Sequence, residues 1–258
     1  MRVVVLVKSV PDTNGDRKIE LETGLTDRAA SDTVLDEINE RAVEAALTIA
    51  ASVPDSTVEL LAMAPEEALT AIRKGLAMGA DSATQVVDAK LIGADSTLTA
   101  EVLAAALKRQ PFDLVISGNQ STDGSGGVVP SMISELLDLP ALTELKEVAV
   151  AGNTISGTRI TDSGTIKLTA ELPAIISVTE AFPEGRFPNF KGIMAAKKKP
   201  YETISLADLG INAEDFSIPR AIMTAAAERA PRAAGVKIVD EGNAAEELAD
   251  YLVQNRLA

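Results

Sequence analysis

Short apolar segments alternate with helical segments over residues 1–140, and this alternation constrains the fold more than any other feature of the chain. Five successive apolar residues at 3–7 are typical of a parallel strand that is covered on both faces. Similar patterns predict the strands 58–63, 84–87 and 114–117 and the helices 36–51, 65–77, 97–109 and 129–137. The sequence therefore predicts a doubly wound α/β fold, Rossmann-like or flavodoxin-like, with a mostly parallel sheet.

After Pro140 the pattern changes to short strands separated by tight turns. Residues 147–150, 154–160 and 165–170 are predicted to be antiparallel strands, followed by a buried strand at 172–178. We expect the antiparallel strands, within 144–171, to extend the sheet of a nucleotide-binding α/β domain that spans residues 1–195.

The core signal weakens from Phe182 onward. Residues 182–192 combine three Phe with two Pro and two Gly, which favours an exposed loop. Helical spacing of apolar residues returns at 243–256. A segment with so little core of its own is predicted to be an extended C-terminal arm, residues 196–258, that wraps a partner subunit.

Composition excludes several classes of function. With 258 residues and 46% hydrophobic content the chain can bury a large core, and no apolar run approaches the roughly 20 residues that span a bilayer. No membrane insertion is therefore expected, and without a signal-peptide pattern the expected compartment is the cytoplasm. A formal net charge of −14 argues against nucleic acid as a partner. The absence of Cys and His removes thiolate chemistry and most hydrolytic triads.

The most informative local stretch is residues 115–130, where an apolar strand runs into Gly, Ser and Thr and then into a helix. Small residues let backbone N–H groups approach a phosphate, and a helix N-terminus attracts the same anion. The stretch contains no lysine, so it is not a P-loop. It is interpreted either as a nucleotide-phosphate site or as a structural turn between strand and helix.

Other polar and aromatic residues also allow two interpretations. Asp123 could ligate Mg²⁺ beside a phosphate or could shape the turn and cap the next helix. The carboxylates Asp36, Glu37 and Glu40 could act in acid–base chemistry or complement a helix dipole. Phe187 and Phe190 could anchor a partner or fill a small core. Residues 197–199 are three lysines, which suit a solvated linker or an acidic partner better than a membrane or a nucleic acid.

Several stretches together resemble the beta subunits of electron transfer flavoproteins, almost from end to end. These stretches are residues 3–8 with Val10-Pro11-Asp12, 35–46, 71–81, the glycine and serine residues of 118–128, 157–164, 172–178, Arg186-Phe187 and 192–199. The resemblance implies an electron-carrier subunit without catalytic residues of its own. Its partner would be a larger alpha subunit, and the heterodimer would carry one FAD, held mainly by that partner. Such a heterodimer would pass electrons from acyl-CoA and related dehydrogenases of fatty acid oxidation to a membrane quinone oxidoreductase.

The resemblance also implies that this subunit binds AMP as a structural nucleotide. The implied phosphate site comprises Gly118, Asn119, Gln120, Ser121, Asp123, Gly124, Ser125, Gly126, Gly127 and Val128. The implied adenosine end comprises Leu6, Asp36, Glu37, Ile38, Asn39 and Met63. The implied dehydrogenase-recognition segment lies within 186–195 and presents Arg186, Phe187, Phe190, Ile193 and Met194.

Two alternatives to this function remain. In the first, the subunit belongs to a bifurcating flavoprotein and holds a second FAD in place of AMP. In the second, from a different class, the chain is an ATP-binding or ATP-hydrolysing stress-type module with the same α/β core.

Overall fold

A mostly parallel sheet of nine strands runs through the computed structural model, which describes residues 1–232 and 234–258. The strands are β1 (Arg2–Val7), β2 (Ser9–Pro11), β3 (Lys18–Ile19), β4 (Thr26–Asp27), β5 (Thr33–Leu35), β6 (Thr57–Met63), β7 (Ser82–Val86), β8 (Leu114–Gly118), β9 (Ala141–Ala151), β10 (Thr154–Thr161), β11 (Gly164–Glu171), β12 (Ala174–Val178) and β13 (Tyr201–Ile204). The helices are α1 (Glu37–Ser52), α2 (Leu69–Met78), α3 (Ser96–Leu107), α4 (Val129–Leu137), α5 (Phe190–Ala196), α6 (Leu206–Leu209) and α7 (Ala244–Gln254).

The strand order in the sheet is β11-β10-β9-β12-β8-β1-β6-β7-β13. In this spatial order, all neighbours in the part β9-β12-β8-β1-β6-β7-β13 are parallel. Strand β10 is antiparallel to both β9 and β11. The chain first builds outward from β1 through β6 and β7, then returns to place β8 on the other side of β1. This reversal opens a crevice at the carboxyl ends of β1 and β8, where ligands bind in open α/β sheets. The predicted doubly wound fold with an antiparallel extension is confirmed.

Helices cover both faces of the sheet, and β1 shows why its apolar run is continuous. Val3, Val5 and Val7 lie in the core that includes α1 and α2, whereas Val4 and Leu6 lie in the core that includes α3 and α4. Successive side chains of a strand point to opposite faces, so a strand between two helical layers needs apolar residues at every position.

Residues 9–35 contain structure that the sequence pattern did not predict. Here β2 pairs with β5 and β3 pairs with β4, each in an antiparallel two-stranded sheet. These strands have only two or three residues each, too few to show a period of two.

The main compact unit ends later than the predicted domain boundary after residue 195. It comprises Met1–Ala225, and β13 pairs in parallel with β7 at one edge of the sheet. Because β13 has only four residues, two of them exposed, its sequence carries little sign that it belongs to the sheet. The compact unit therefore includes residues 196–225 of the predicted arm, and the wrapping of a partner by that arm stays a prediction.

Residues 182–192 also differ in part from the predicted exposed loop. Phe182 is buried in the core on the α1 and α2 side of the sheet, and Phe190 begins α5 with Asn189 as its N-cap. The side-chain oxygen of Asn189 accepts a hydrogen bond from the N–H of Gly192 at 2.8 Å. Phe182 and Phe190 lie eight residues apart, and the Pro and Gly residues between them are typical of a loop, so the sequence pattern does not separate the buried ring from the exposed one.

The second compact unit comprises Ala226–Ala258, within which Ala233 of the predicted arm lies outside the described residues. It contains α7, which confirms the helix predicted near the end of the chain. The apolar side chains of Leu248 and Val253 on this helix are exposed. Of the helices in the described parts of the chain, none combines the length and the apolar character needed to cross a membrane.

Candidate functional site

The glycine–serine loop, residues 118–128, connects the carboxyl end of β8 to α4 at the crevice of the sheet. It begins with a close approach to α1. A Cβ atom on Gly118 would lie 2.7 Å from Nδ2 of Asn39 and 2.9 Å from Cγ2 of Ile38. Only glycine therefore lets the first turn of α1 pack against the end of β8.

Asp36 fastens this helix to the loop. Its residue is fully buried, and its carboxylate is the N-cap of α1, accepting from the N–H groups of Ile38 at 3.0 Å and Asn39 at 3.4 Å. The second carboxylate oxygen accepts from the N–H of Thr122 at 2.7 Å and from the Thr122 hydroxyl at 2.9 Å. Asp36, predicted at the adenosine end of a nucleotide site, thus uses both carboxylate oxygens to hold the fold.

Lys8 brings a positive charge to the loop from the end of β1. Its ammonium group donates to Oδ1 of Asp123 at 2.6 Å and to the Ser121 hydroxyl at 3.2 Å. The guanidinium of Arg28 lies 3.9 Å from the other carboxylate oxygen of Asp123. Although burial by itself raises the pKa of the Asp123 carboxyl, the hydrogen bond and charge of Lys8 lower this pKa overall, helped by Ser121 and the backbone of Gly124.

A second arginine, Arg17, also comes from segment 9–35 and binds Thr122 of the loop. The guanidinium of Arg17 donates to the carbonyl oxygen of Thr122, to the Thr122 hydroxyl at 3.2 Å and to the carbonyl oxygen of Pro11 at 2.9 Å. Three cations therefore converge on a loop whose own ionisable residue is a single aspartate. Such an arrangement attracts anions.

The end of the loop offers free backbone donors. In the described part of the chain, the N–H groups of Gly126, Gly127 and Val128 donate no hydrogen bond, and all three residues are exposed. Val128 is the N-cap of α4, and Gly127 has a φ of +65°, a left-handed conformation that favours glycine. Three consecutive free donors at a helix N-terminus form a site suited to a phosphate group.

The residues predicted to line the adenosine end lie at the same edge of the sheet. Leu6 is buried near the end of β1, and Met63 is the last residue of the neighbouring strand β6. Glu37 is exposed and accepts from the Thr13 hydroxyl at 2.8 Å, whereas Oδ1 of Asn39 accepts from the N–H of Lys8 at 2.7 Å. The structure therefore brings this predicted set together with the glycine–serine loop.

The predicted dehydrogenase-recognition segment lies on a different part of the surface, beside α1 and α2. The rings of Phe187 and Phe190 are 89% and 80% exposed, and Ile193 and Met194 are about half exposed. By contrast, the guanidinium of Arg186 is bound to the carboxylate of Glu44 on α1. Four of the five predicted residues thus present apolar surface to solvent, whereas the fifth, Arg186, forms an ion pair with Glu44 of the same chain.

The basic residues that follow this segment have different environments. Lys197 and Lys198 are exposed, whereas the ammonium group of Lys199 donates to the carbonyl oxygens of Leu76 at 2.9 Å and of Ala80. Burial lowers the pKa of Lys199. Lys199 thus binds carbonyl groups at the C-terminal end of α2, which favours a positive charge.

Sequence reasoning missed four residues of the site: Lys8, Arg17, Arg28 and Thr122. The position of Lys8 directly after a predicted strand could have indicated it, because the carboxyl ends of parallel strands share one edge of the sheet. Thr122 lies inside the predicted loop and was overlooked as a partner for Asp36. Arg17 and Arg28 lie in a segment without periodic apolar residues, which gave no signal of their position.

Comparison with known proteins identifies the family. The family model described as an electron transfer flavoprotein domain matches residues 23–209. A Mycobacterium bovis protein named electron transfer flavoprotein subunit beta is 46% identical over 262 residues, which cover 99% of this chain and 98% of that protein. A Mycobacterium leprae protein of the same name is 45% identical with the same coverage, and an Acetobacterium woodii protein named caffeyl-CoA reductase-Etf complex subunit CarD is 30% identical over 98% of this chain and 97% of that protein. The chain therefore belongs to the family of electron transfer flavoprotein beta subunits.

Proposed function

We propose that the chain is a non-catalytic electron-carrier subunit that binds AMP in the glycine–serine loop as a structural nucleotide. The observation that carries this proposal is the run of free N–H groups at Gly126, Gly127 and Val128, next to the N-terminus of α4. A phosphate monoester would accept hydrogen bonds from these N–H groups and would be attracted by Lys8 and Arg28, which lie next to Asp123 of the same loop.

Two further features fit a nucleotide in this place. A Cβ atom on Gly126 would have no atom of the described residues within 4 Å, so open space lies beside the free donors. The side-chain oxygen of Asn119 is buried without a hydrogen-bond partner among the described residues, a state that costs about 1–3 kcal/mol. A ligand that rearranges this amide and supplies a donor would remove that cost.

The redox chemistry is assigned to FAD, one per heterodimer, held mainly by the alpha subunit. When bound, this flavin would accept and donate electrons, and the present chain has no Cys that could supply a thiol–disulfide couple instead. The role of the present chain is to support the flavin-bearing partner, and the arm beginning near Ala226 is the segment proposed to wrap that partner.

The exposed apolar residues Phe187, Phe190, Ile193 and Met194 are proposed to dock acyl-CoA and related dehydrogenases. Exposed aromatic side chains of this size commonly anchor transient protein contacts. Electrons from the docked dehydrogenase would pass through the flavin to a membrane quinone oxidoreductase and so to the respiratory chain. We propose the cytoplasm as the location of the heterodimer.

The decisive experiment is to copurify this chain with its alpha subunit and to measure the nucleotides released on denaturation. One FAD and one AMP per heterodimer would support the proposal, whereas two FAD and no AMP would favour the bifurcating alternative. A chain that retains neither an alpha subunit nor an adenine nucleotide would contradict both. Mg²⁺-dependent ATP turnover by the purified chain would instead favour the stress-type ATP-binding module.

A further inference from the structure

The segment that carries the exposed phenylalanines is tied to α1 by one carboxylate. Nε and Nη2 of Arg186 donate to the two carboxylate oxygens of Glu44, at 2.8 Å and 2.7 Å. The backbone N–H of Arg186 donates to the same carboxylate at 3.0 Å. Glu44 therefore binds both the side chain and the main chain of Arg186, a stronger restraint than an ordinary surface ion pair.

The segment 182–189, which contains Arg186 and Phe187 and leads into Phe190, is also fixed at both ends. At its start, Phe182 is buried and its carbonyl oxygen accepts from the guanidinium of Arg41. At its end, Asn189 caps α5. Between them, Gly185 approaches α1 so closely that a Cβ atom would lie 3.0 Å from the carbonyl oxygen of Glu40. Arg186 thus ties down the middle of a short segment whose ends are already held.

We propose that Glu44 and Arg186 form a positioning pair that holds Phe187 and Phe190 in the conformation required for docking a dehydrogenase. This inference rests on the docking role proposed above. It changes the role of Arg186, which the family resemblance placed among the residues presented to the dehydrogenase. The arginine acts through the neighbouring phenylalanines by fixing the backbone that carries them, and its guanidinium is not the group that contacts the dehydrogenase.

The physical basis is the entropy of binding. Residues 183–189 bury little apolar surface of their own, so the segment gains order mainly from polar contacts with α1. A segment that is already ordered loses less conformational entropy when its aromatic residues enter a partner surface. Removing Glu44 would leave the exposed rings in place on the chain but would let them sample conformations that do not dock.

The test uses the complete heterodimer and a purified acyl-CoA dehydrogenase reduced by its acyl-CoA substrate. For Glu44→Gln we expect the KM of the dehydrogenase for the heterodimer to rise about two- to fivefold, with kcat and flavin content unchanged. Arg186→Lys keeps the charge but loses the two-point contact, and it should raise the KM as well. If Arg186 bound the dehydrogenase by its charge, Glu44→Gln would leave the KM unchanged or lower it, and this would overturn the proposal.

A matched control and a double-mutant cycle separate positioning from general damage to the fold. Glu202→Gln disrupts a comparable two-point pair, with Arg109 at 2.8 Å and 2.9 Å, and should leave the KM unchanged. In a chain that carries both Phe187→Ala and Phe190→Ala, Glu44→Gln should have no further effect on the KM. A full additional increase in that background would overturn the positioning role. No effect of the two phenylalanine substitutions themselves would show instead that the proposed docking surface is wrong.

Discussion

Asp36 accepts hydrogen bonds from both the backbone N–H and the hydroxyl of Thr122, which lies 86 residues later in the chain. The same carboxylate caps α1. One buried side chain therefore sets the position of the glycine–serine loop relative to the first helix, so the shape of the candidate nucleotide site depends on a contact that involves no ligand.

We expect Asp36→Ala to destabilise the protein by about 2–4 kcal/mol, because it removes a buried helix cap and leaves the partly buried donors of Thr122 without an acceptor. The nucleotide content of the purified heterodimer should fall with it, since the loop loses its restraint. Denaturant unfolding and nucleotide extraction measure the two effects.

Asp95→Ala is the matched control, because Asp95 caps α3 through the N–H of Leu98 at 2.8 Å. It should lower stability without loss of nucleotide, and equal nucleotide loss in both variants would contradict the role of Asp36.

Gly126→Val should block nucleotide binding and leave the nucleotide-free protein as stable as before. Within residues 1–232 and 234–258, no atom lies within 4 Å of a Cβ at this position, so the new side chain would extend into the space proposed for the ligand. At an AMP concentration 100 times its Kd, the unmodified protein should gain about 2.7 kcal/mol that the variant lacks. Thermal unfolding with and without AMP provides the measurement, and an equal gain in the variant would place the nucleotide elsewhere.

Lys8→Met should weaken AMP binding about tenfold or more, since a charge-assisted hydrogen bond contributes about 1.5–3 kcal/mol. The salt dependence of binding should also decrease, because one cation fewer faces the phosphate. Calorimetric titration of nucleotide-free heterodimer with AMP at several salt concentrations tests both effects. The control is Lys74→Met, which removes an ion pair with Glu40 on α1 and should leave AMP affinity unchanged.

The Glu44–Arg186 pair should make stability depend on pH in the acid range. The hydrogen bond from Arg186 lowers the pKa of the Glu44 carboxyl below its ordinary value of 4.5. Because the folded-state pKa is the lower one, the contribution is complete above the unfolded pKa and is lost as the pH falls through the folded pKa. Arg186 is about half exposed, so we expect a contribution of about 0.5 kcal/mol.

Denaturant unfolding of the unmodified protein and of Glu44→Gln between about pH 7 and pH 3 measures this contribution. The unmodified protein should be the more stable at neutral pH, and the difference should shrink on acidification. A difference that stays constant or grows as the pH falls would show that the charge of Glu44 does not stabilise the fold.

The sequence predicted the sheet well because its strands carry strong local patterns. Each apolar run of the parallel strands must fill two cores at once, as β1 does with Val3 and Val4 on opposite faces. The short strands β2 to β5 and β13 do not fill two cores, so their sequences carry no apolar run. They were missed because they are defined by hydrogen bonds to strands that become neighbours only in the fold. The position of Phe182 in the core was missed for the same reason, since its neighbours are typical of a loop.

By itself the sequence determined the order of the longer strands and helices in residues 1–178, the glycine–serine loop at the carboxyl edge of the sheet and the family resemblance. The tertiary structure alone decided which side chains meet. At the loop these are Asp36 with Thr122 and Lys8 with Asp123, and on α1 Glu44 meets Arg186; the pairs are separated by 86, 115 and 142 residues. Each of these residues also suits an ordinary local role, as a helix cap, a strand end or a surface charge, so its residue type does not reveal its partner. Strand order brings the partners into contact, because parallel strands collect distant parts of the chain at one edge of the sheet and against one helix.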